Sequence, residues 1–223
     1  MPLPKAVVFD LDGTLIDSAP DLKFALNRLL LNEGRRTLSL DEVIGMIGDG
    51  VPKLVERGYR ATGGVPDADD LADRVAVFGR DYEINATLHT KLFPGALSAI
   101  KRLIDSDALI GLCTNKPVQA TREILREFEI DGLFDAVAGG DSLSGVRKPD
   151  PRHLQLVLDD LGVTADEAVM VGDGANDIAV AKNAGVKSVA VTFGYCHGRV
   201  EDLHADLMID HFDQLISGLD TLT

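Results

Sequence analysis

The sequence predicts an α/β fold: a doubly wound, mainly parallel sheet of the Rossmann-like kind, interrupted by an inserted helical cap-like domain. Three observations predict it. Short apolar runs alternate with helical patterns over most of the chain. The runs are continuously apolar, as strands covered on both faces are. One stretch, 18–87, carries helical patterns and no convincing strand.

The elements follow in order. Ala6–Phe9 reads as the first strand and ends at Asp10. Ser18-Ala-Pro-Asp21 has the form of a capping box opening a helix. Leu22, Ala25, Leu26, Leu29 and Leu30 then fall on one helical face. Ser39-Leu-Asp-Glu42 is a second capping-box pattern. Gly48-Asp49-Gly50 breaks the chain, and Pro52 suits the first turn of the next helix, whose apolar face continues through Leu54, Val55 and Tyr59. Gly63-Gly-Val-Pro66 is a loop, and Leu71, Val75, Phe78 and Tyr82 mark a further helix. Strand-like runs resume at Leu109–Cys113, Val137-Ala138, Ala168–Val171, Ser188–Val191 and Leu207–Ile209. Helical patterns near 117–127, 151–161, 176–184 and 212–219 separate most of them. The expected division is a sheet-bearing core of 1–17 and 88–223, with 18–87 as the inserted helical domain. No internal repeat or low-complexity tract interrupts this pattern.

Composition narrows the function. The chain has 223 residues, 45% hydrophobic and 26% charged, which is globular usage. Lys and Arg number 22 against 36 Asp and Glu, a formal net charge of −14. No basic run exceeds Arg35-Arg36 or Lys101-Arg102, so no nucleic acid and no membrane surface is expected as a partner. The two cysteines, Cys113 and Cys196, make no disulfide framework. The first residues lack a basic region followed by a long apolar one. No apolar run approaches the ~18–20 residues of a membrane span. A cytoplasmic location is the expectation. Cys113 lies in an apolar run and is expected in the core. His89, His153, His197, His204 and His211 have no metal-ligand spacing and read as surface or capping residues. Lys53 and Arg57 read as a solvated helix face.

Four motifs carry chemistry, each with a plainer alternative. Asp10-Leu-Asp12-Gly13-Thr14 places two carboxylates at the end of the first strand, where open α/β sheets bind ligands. They suit a nucleophilic aspartate with an acid/base partner beside a metal; the alternative is an acidic Asp-Gly turn. Gly172-Asp173-Gly-Ala-Asn-Asp177 brings two more carboxylates to the same edge. Four clustered carboxylates call for a cation, and hard oxygen donors at a phosphate site favour Mg2+. Here the alternative is an Asp177 that merely complements a helix dipole. Thr114-Asn115-Lys116-Pro117 offers a hydroxyl, an amide and helix N-terminal N–H groups to a phosphate oxygen, or else an ordinary N-cap. Arg147-Lys148-Pro149-Asp150-Pro151 supplies a lysine to neutralise a phosphoryl group, or else a solvated one. Together the four supply the parts of a phosphoryl-transfer site: an aligned nucleophile, a metal, a cation and phosphate-binding dipoles. Neither a dinucleotide fingerprint nor a GxxxxGK[ST] loop is present, and zinc is disfavoured because no HExxH or Cys/His cluster occurs.

Asp10-Leu-Asp12-Gly13-Thr14, Thr114-Asn115, Lys148-Pro149 and Gly172-Asp173…Asn176-Asp177 resemble, in order, the four motifs of the haloacid dehalogenase superfamily. The insertion after the first motif resembles that superfamily's helical cap. Asp17-Ser-Ala-Pro-Asp21, Thr114-Asn-Lys-Pro117, Gly139-Gly-Asp141, Lys148-Pro-Asp-Pro151 and Phe193-Gly-Tyr195…Gly198 are similar to its phosphoglycolate phosphatase subfamily. A departure is Asp49, where the subfamily has asparagine or a neutral residue between glycines.

The resemblance implies hydrolysis of a small phosphate monoester, 2-phosphoglycolate, through an aspartyl-phosphate. It implies Asp10 as nucleophile and Asp12 as acid/base. Mg2+ would be held by an Asp10 carboxylate oxygen, the Asp12 carbonyl and Asp173. Thr114, Asn115 and Lys148 would hold the phosphoryl oxygens, with Thr14 and Asp177 in support, and the cap would close over the site and read the leaving group. A sugar-phosphate phosphatase, a phosphomutase of the superfamily and a non-catalytic phosphate-responsive binding or signalling protein are the alternatives. A dehalogenase is disfavoured by Asp12, and a receiver domain by motif order and length.

Overall fold

The computed structural model describes residues 3–222. The chain forms two compact units, one from the residues up to Ile16 together with those from Leu92 onward, the other Asp17–Lys91. The first strand, β1 (Ala6–Phe9), is fully buried. Two-residue strands β2 (Ile16–Asp17) and β3 (Lys91–Leu92) pair where the chain passes from one unit to the other.

Between them lie α1 (Ala19–Asn32), α2 (Leu40–Ile44), α3 (Val51–Ala61) and α4 (Ala68–Asn85). Leu22, Leu26, Leu30, Leu54, Val55, Tyr59, Phe78 and Tyr82 are buried on the expected helical faces, while Leu71 and Val75 of α4 are only partly buried. Helices α1 and α3 approach closely at Gly58, where an added Cβ would meet the Leu26 methyls. Arg28 holds Asp81 of α4 through a forked hydrogen bond of 2.6–3.0 Å. Ser39 and Glu42 make the expected reciprocal capping box. Ser18 does not cap α1 with its side chain. Asp21, three residues on, turns instead to His89 and Thr90 at the far end of the unit's sequence.

The remaining elements are α5 (Ala96–Ile104), β4 (Leu109–Cys113), α6 (Val118–Glu127), β5 (Ala136–Ala138), α7 (Pro151–Leu161), β6 (Ala168–Gly172), α8 (Ala175–Ala184), β7 (Lys187–Val191), β8 (Leu207–Ile209) and α9 (Leu215–Leu219). No apolar pattern in the sequence announces α5. Its buried stripe is Ala96, Ala99, Ile100 and Leu103, half of it alanine, so its apolar signal is weak. The sheet is parallel throughout, in the order β5-β4-β1-β6-β7-β8. Ala6 and Val8 of β1 share a core with Leu154, Val157, Leu158, Val180 and Ala181 of α7 and α8. Phe9 packs toward Phe212, ring centres 6.4 Å apart.

The strand order reverses at β1, the classical place for a ligand crevice in a doubly wound sheet. The register brings three strand ends level, with Phe9 opposite Leu112 of β4 and Val171 of β6. Extending that register sets Asp10 level with Cys113 and Gly172, each the residue just before Thr114 and Asp173. No helix among the described residues is long and apolar enough to cross a membrane.

Candidate active site

The first strand delivers Asp10 to the carboxyl edge, and its N–H donates to the Val171 carbonyl at 2.9 Å. Asp10 is nearly buried, and its Oδ1 has no hydrogen-bond partner. The Lys148 ammonium lies 2.8 Å from that oxygen as an ion pair. Burial pushes the Asp10 carboxyl up to about 6, against the pull of Lys148 and with added push from Asp177 and Asp12.

Lys148 is 4% exposed, which removes the solvated alternative for it. Its ammonium also donates to Asp177 Oδ1 at 2.6 Å. Burial works against the charge, but Asp10 and Asp177 outweigh it and raise the lysine's affinity for its proton. The other Asp177 oxygen accepts from the Gly174 N–H at 2.9 Å at the start of α8. Asp177 thus complements a helix N-terminus and anchors the lysine at once.

Asp173 is buried, with one oxygen accepting from the Thr14 hydroxyl at 3.0 Å and the other from the Tyr195 N–H at 2.6 Å. Its carboxyl is raised well above the usual range, by burial first and then by Asp177 and Asp10. Gly13 has φ +82°, and a side chain there would land on the Asp173 carboxylate, so the turn after Asp12 requires glycine twice over.

Carboxylate oxygens of Asp10, Asp173 and Asp177 all lie within 4.8 Å of one another. Three acidic groups so close, two of them with raised pKa and one with an orphaned oxygen, fit a hard divalent cation. Asp12 is not in that trio, because its carboxylate meets Lys116, whose Nζ is 3.0 Å from each oxygen.

Thr114 and Asn115 do not cap α6 with their side chains. The N-cap is Pro117, and the Asp141 carboxylate accepts the Val118 N–H at 2.7 Å from a neighbouring loop. The Asn115 side chain spans the main chain of Lys148, donating to its carbonyl at 3.2 Å and accepting its N–H at 2.9 Å. The motif after β4 thereby positions the lysine of another motif.

Two neighbours of these residues carry no sequence signal for their place beside them. His153, expected at the surface or in a cap, is fully buried. Its Nδ1 accepts the Lys148 N–H at 3.2 Å and its Nε2 donates to the Gly139 carbonyl at 3.0 Å, which fixes the neutral Nε2–H tautomer. Burial and the nearby Lys148 hold it down at about 4. Lys116 was visible only as part of the Thr-Asn-Lys-Pro string; no periodicity or spacing announces its pairing with Asp12. Cys113 is in the core as expected, its thiol pushed up to about 12 by burial. In the helical unit the departure at Asp49 is neutralised by an ion pair with Arg57, which also donates to the Met46 carbonyl. Arg57 is thus tied to a loop rather than solvated, while Lys53 pairs with Glu56 at the surface.

A buried carboxylate against a buried lysine, beside an acidic trio at the carboxyl edge of a Rossmann-like sheet, is an arrangement suited to handling a phosphoryl group. The haloacid dehalogenase-like hydrolase family matches residues 4–185, and the chain belongs to that family. It is 44% identical over 209 residues to a phosphoglycolate phosphatase of Cereibacter sphaeroides, covering 94% of each chain. It is 41% identical over 217 residues to one of Rhodospirillum rubrum, covering 96% of this chain and 90% of that one. Among solved structures, a predicted phosphoglycolate phosphatase from Haemophilus somnus 129pt superposes with a TM-score of 0.92 at 29% identity, over 97% of this chain and 98% of that one. The protein is a phosphatase of this family.

Proposed function

We propose that the enzyme hydrolyses 2-phosphoglycolate to glycolate and phosphate with Mg2+, through an aspartyl-phosphate on Asp10. The observation that carries this reading is the Asp10 carboxylate itself: buried, with an orphaned oxygen, and drawn up against Lys148. A buried carboxylate oxygen held only by an ammonium is a better nucleophile than a solvated one, and Lys148 offsets the repulsion between it and an incoming phosphate dianion.

An Asp10 carboxylate oxygen, the Asp12 carbonyl and Asp173 would hold Mg2+, with Asp177 completing the acidic surround. When bound, the ion would offset the charge of the phosphoryl group. Asp10 Oδ attacks phosphorus and the bond to the ester oxygen breaks. Asp12 hands a proton to that oxygen, and afterwards takes one from the water that cleaves the aspartyl-phosphate. The Thr114 hydroxyl and Lys148 hold phosphoryl oxygens. Asn115 and His153 act through Lys148, whose main chain they grip. Thr14 steadies Asp173. The helical unit is assigned the part of the cap, excluding water and reading the leaving group. The reading places the enzyme in the cytoplasm, in keeping with two free thiols.

The test is phosphate release from 2-phosphoglycolate and a set of sugar phosphates, with Mg2+ or chelator, for wild type and Asp10→Asn. A Mg2+-dependent preference for 2-phosphoglycolate that vanishes in the variant is expected. Sugar phosphates turned over faster than 2-phosphoglycolate would overturn the substrate, and an active Asp10→Asn the mechanism.

A further inference from the structure

Among the described residues, the buried lysines are Lys116 and Lys148, and they divide the site between them. Lys148 stands against Asp10 and Asp177, on the side of the attacking group. Lys116 stands against Asp12, with both carboxylate oxygens 3.0 Å from its ammonium and only 3% of its side chain exposed. Its main chain is pinned: the Lys116 carbonyl accepts the Gly140 N–H at 2.8 Å, and its own N–H donates to the Thr114 hydroxyl at 3.3 Å. The ammonium is therefore a fixed charge, not a long side chain sampling solvent.

Asp12 is the group assigned to the ester oxygen, so the charge beside it is a charge beside the leaving group. An acid within about 3 Å of the ester oxygen places Lys116 Nζ within about 6 Å of it. In glycolate the carboxylate carbon is one methylene from that oxygen, and the carboxylate oxygens lie roughly 3 Å from it. A single carboxylate thus spans the gap between the ester oxygen and Lys116. An ammonium out of water needs a full negative charge at its side. Asp12 lies beside it in the structure, and a leaving-group carboxylate would bring it a second anionic partner from the ester side.

We propose that Lys116 binds the carboxylate of the leaving group and so selects phosphate esters of small hydroxy acids over esters of neutral alcohols. This deepens the reading given under Proposed function and rests on it. It assigns leaving-group recognition partly to the sheet-bearing unit, to a lysine on the same loop as Thr114.

The experiment compares kcat/KM for 2-phosphoglycolate and for 2-hydroxyethyl phosphate, which has the same skeleton with an alcohol for the carboxylate. Wild type, Lys116→Arg and Lys116→Met are measured with Mg2+. Wild type is expected to prefer 2-phosphoglycolate, and Lys116→Met to lose roughly 10–100-fold of that preference, the range of one charge-assisted contact. The loss should fall mainly on KM for the carboxylate ester, with Lys116→Arg retaining part of it. Equal losses on both esters would overturn the proposal, because Lys116 would then act only through Asp12; the phosphatase reading would stand. A wild type indifferent to the carboxylate would overturn the 2-phosphoglycolate reading and the proposal together. Should Lys116→Met not turn over, binding of both esters by calorimetry to Asp10→Asn, with and without Lys116→Met, makes the same comparison. An unchanged affinity ratio there overturns it.

Discussion

Two buried carboxylates in this chain live in opposite surroundings. Asp21, in the helical unit, is 2% exposed and accepts hydrogen bonds from the His89 N–H, the His89 ring, the Thr90 N–H and the Thr90 hydroxyl. Burial alone would raise its pKa, but those donors outweigh it and hold the carboxyl below the ordinary range. Asp10, on the sheet edge, has an orphaned oxygen, acidic neighbours and a carboxyl raised to about 6. Asp21 is satisfied by the fold and holds the first turn of α1 to the residues just before β3. Asp10 is destabilised by the fold, with Lys148 as its counter-charge. In this pair, donors surround the carboxylate that ties the fold together, and charges surround the one at the sheet edge.

The contrast can be broken most forcefully at Asp10. Asp10→Asn is expected to lower phosphate release by at least about 10³-fold. The same change should stabilise the metal-free protein, because it removes one member of a crowded acidic group. Thermal melts that show Asp10→Asn less stable than wild type without metal would break the comparison. The sign of its pH dependence follows from the raised pKa. The folded state holds the Asp10 proton longer than the unfolded chain, so Asp10 costs stability as pH rises from near 3.8 through about 6. The stabilising effect of Asp10→Asn should accordingly be larger at pH 7.5 than at pH 5.

Metal should act next in size. Mg2+ at 100 times its dissociation constant would stabilise the native state by about 2.7 kcal/mol. Calorimetric scans should show that gain in wild type and show it reduced in Asp173→Asn, while Asp21→Asn leaves it intact. Asp21→Asn turns an amide N–H toward a donor and should cost about 1–3 kcal/mol in denaturant unfolding. An unchanged midpoint would mean those four hydrogen bonds contribute nothing net.

The smallest effect sharpens the comparison at His153. Its pKa is held at about 4, so the folded state stays neutral where the unfolded chain takes up a proton. Stability is therefore lost as pH falls from near 6.5 toward 4. His153→Gln, which keeps one donor and one acceptor, should flatten that limb and lower kcat only a few-fold. A pH profile identical to wild type would remove His153 as its source.

Local pattern determined much of this molecule. Continuous apolar runs such as Ala6–Phe9 and Ala168–Val171 specify covered parallel strands, because only a sheet with helices on both faces hides them. The stripe from Leu22 to Leu30 specifies α1, and the order of the four motifs places Asp10, Thr114, Lys148 and Asp173 at strand ends or helix starts, a matter of short range. What lay beyond the sequence were pairings between residues far apart in the chain. Asn115 gripping Lys148, Lys116 meeting Asp12 and Asp21 claimed by Thr90 are all of that kind, while His153, five residues from Lys148, was hidden by its burial rather than by distance. Burial and charge compensation depend on which strand ends meet, and the order β4-β1-β6 decides that, not any local spacing. The sequence by itself determined the class of fold and the types of group the site contains. Only the tertiary structure decided which carboxylate each lysine neutralises, because a buried charge is defined by its neighbours in space.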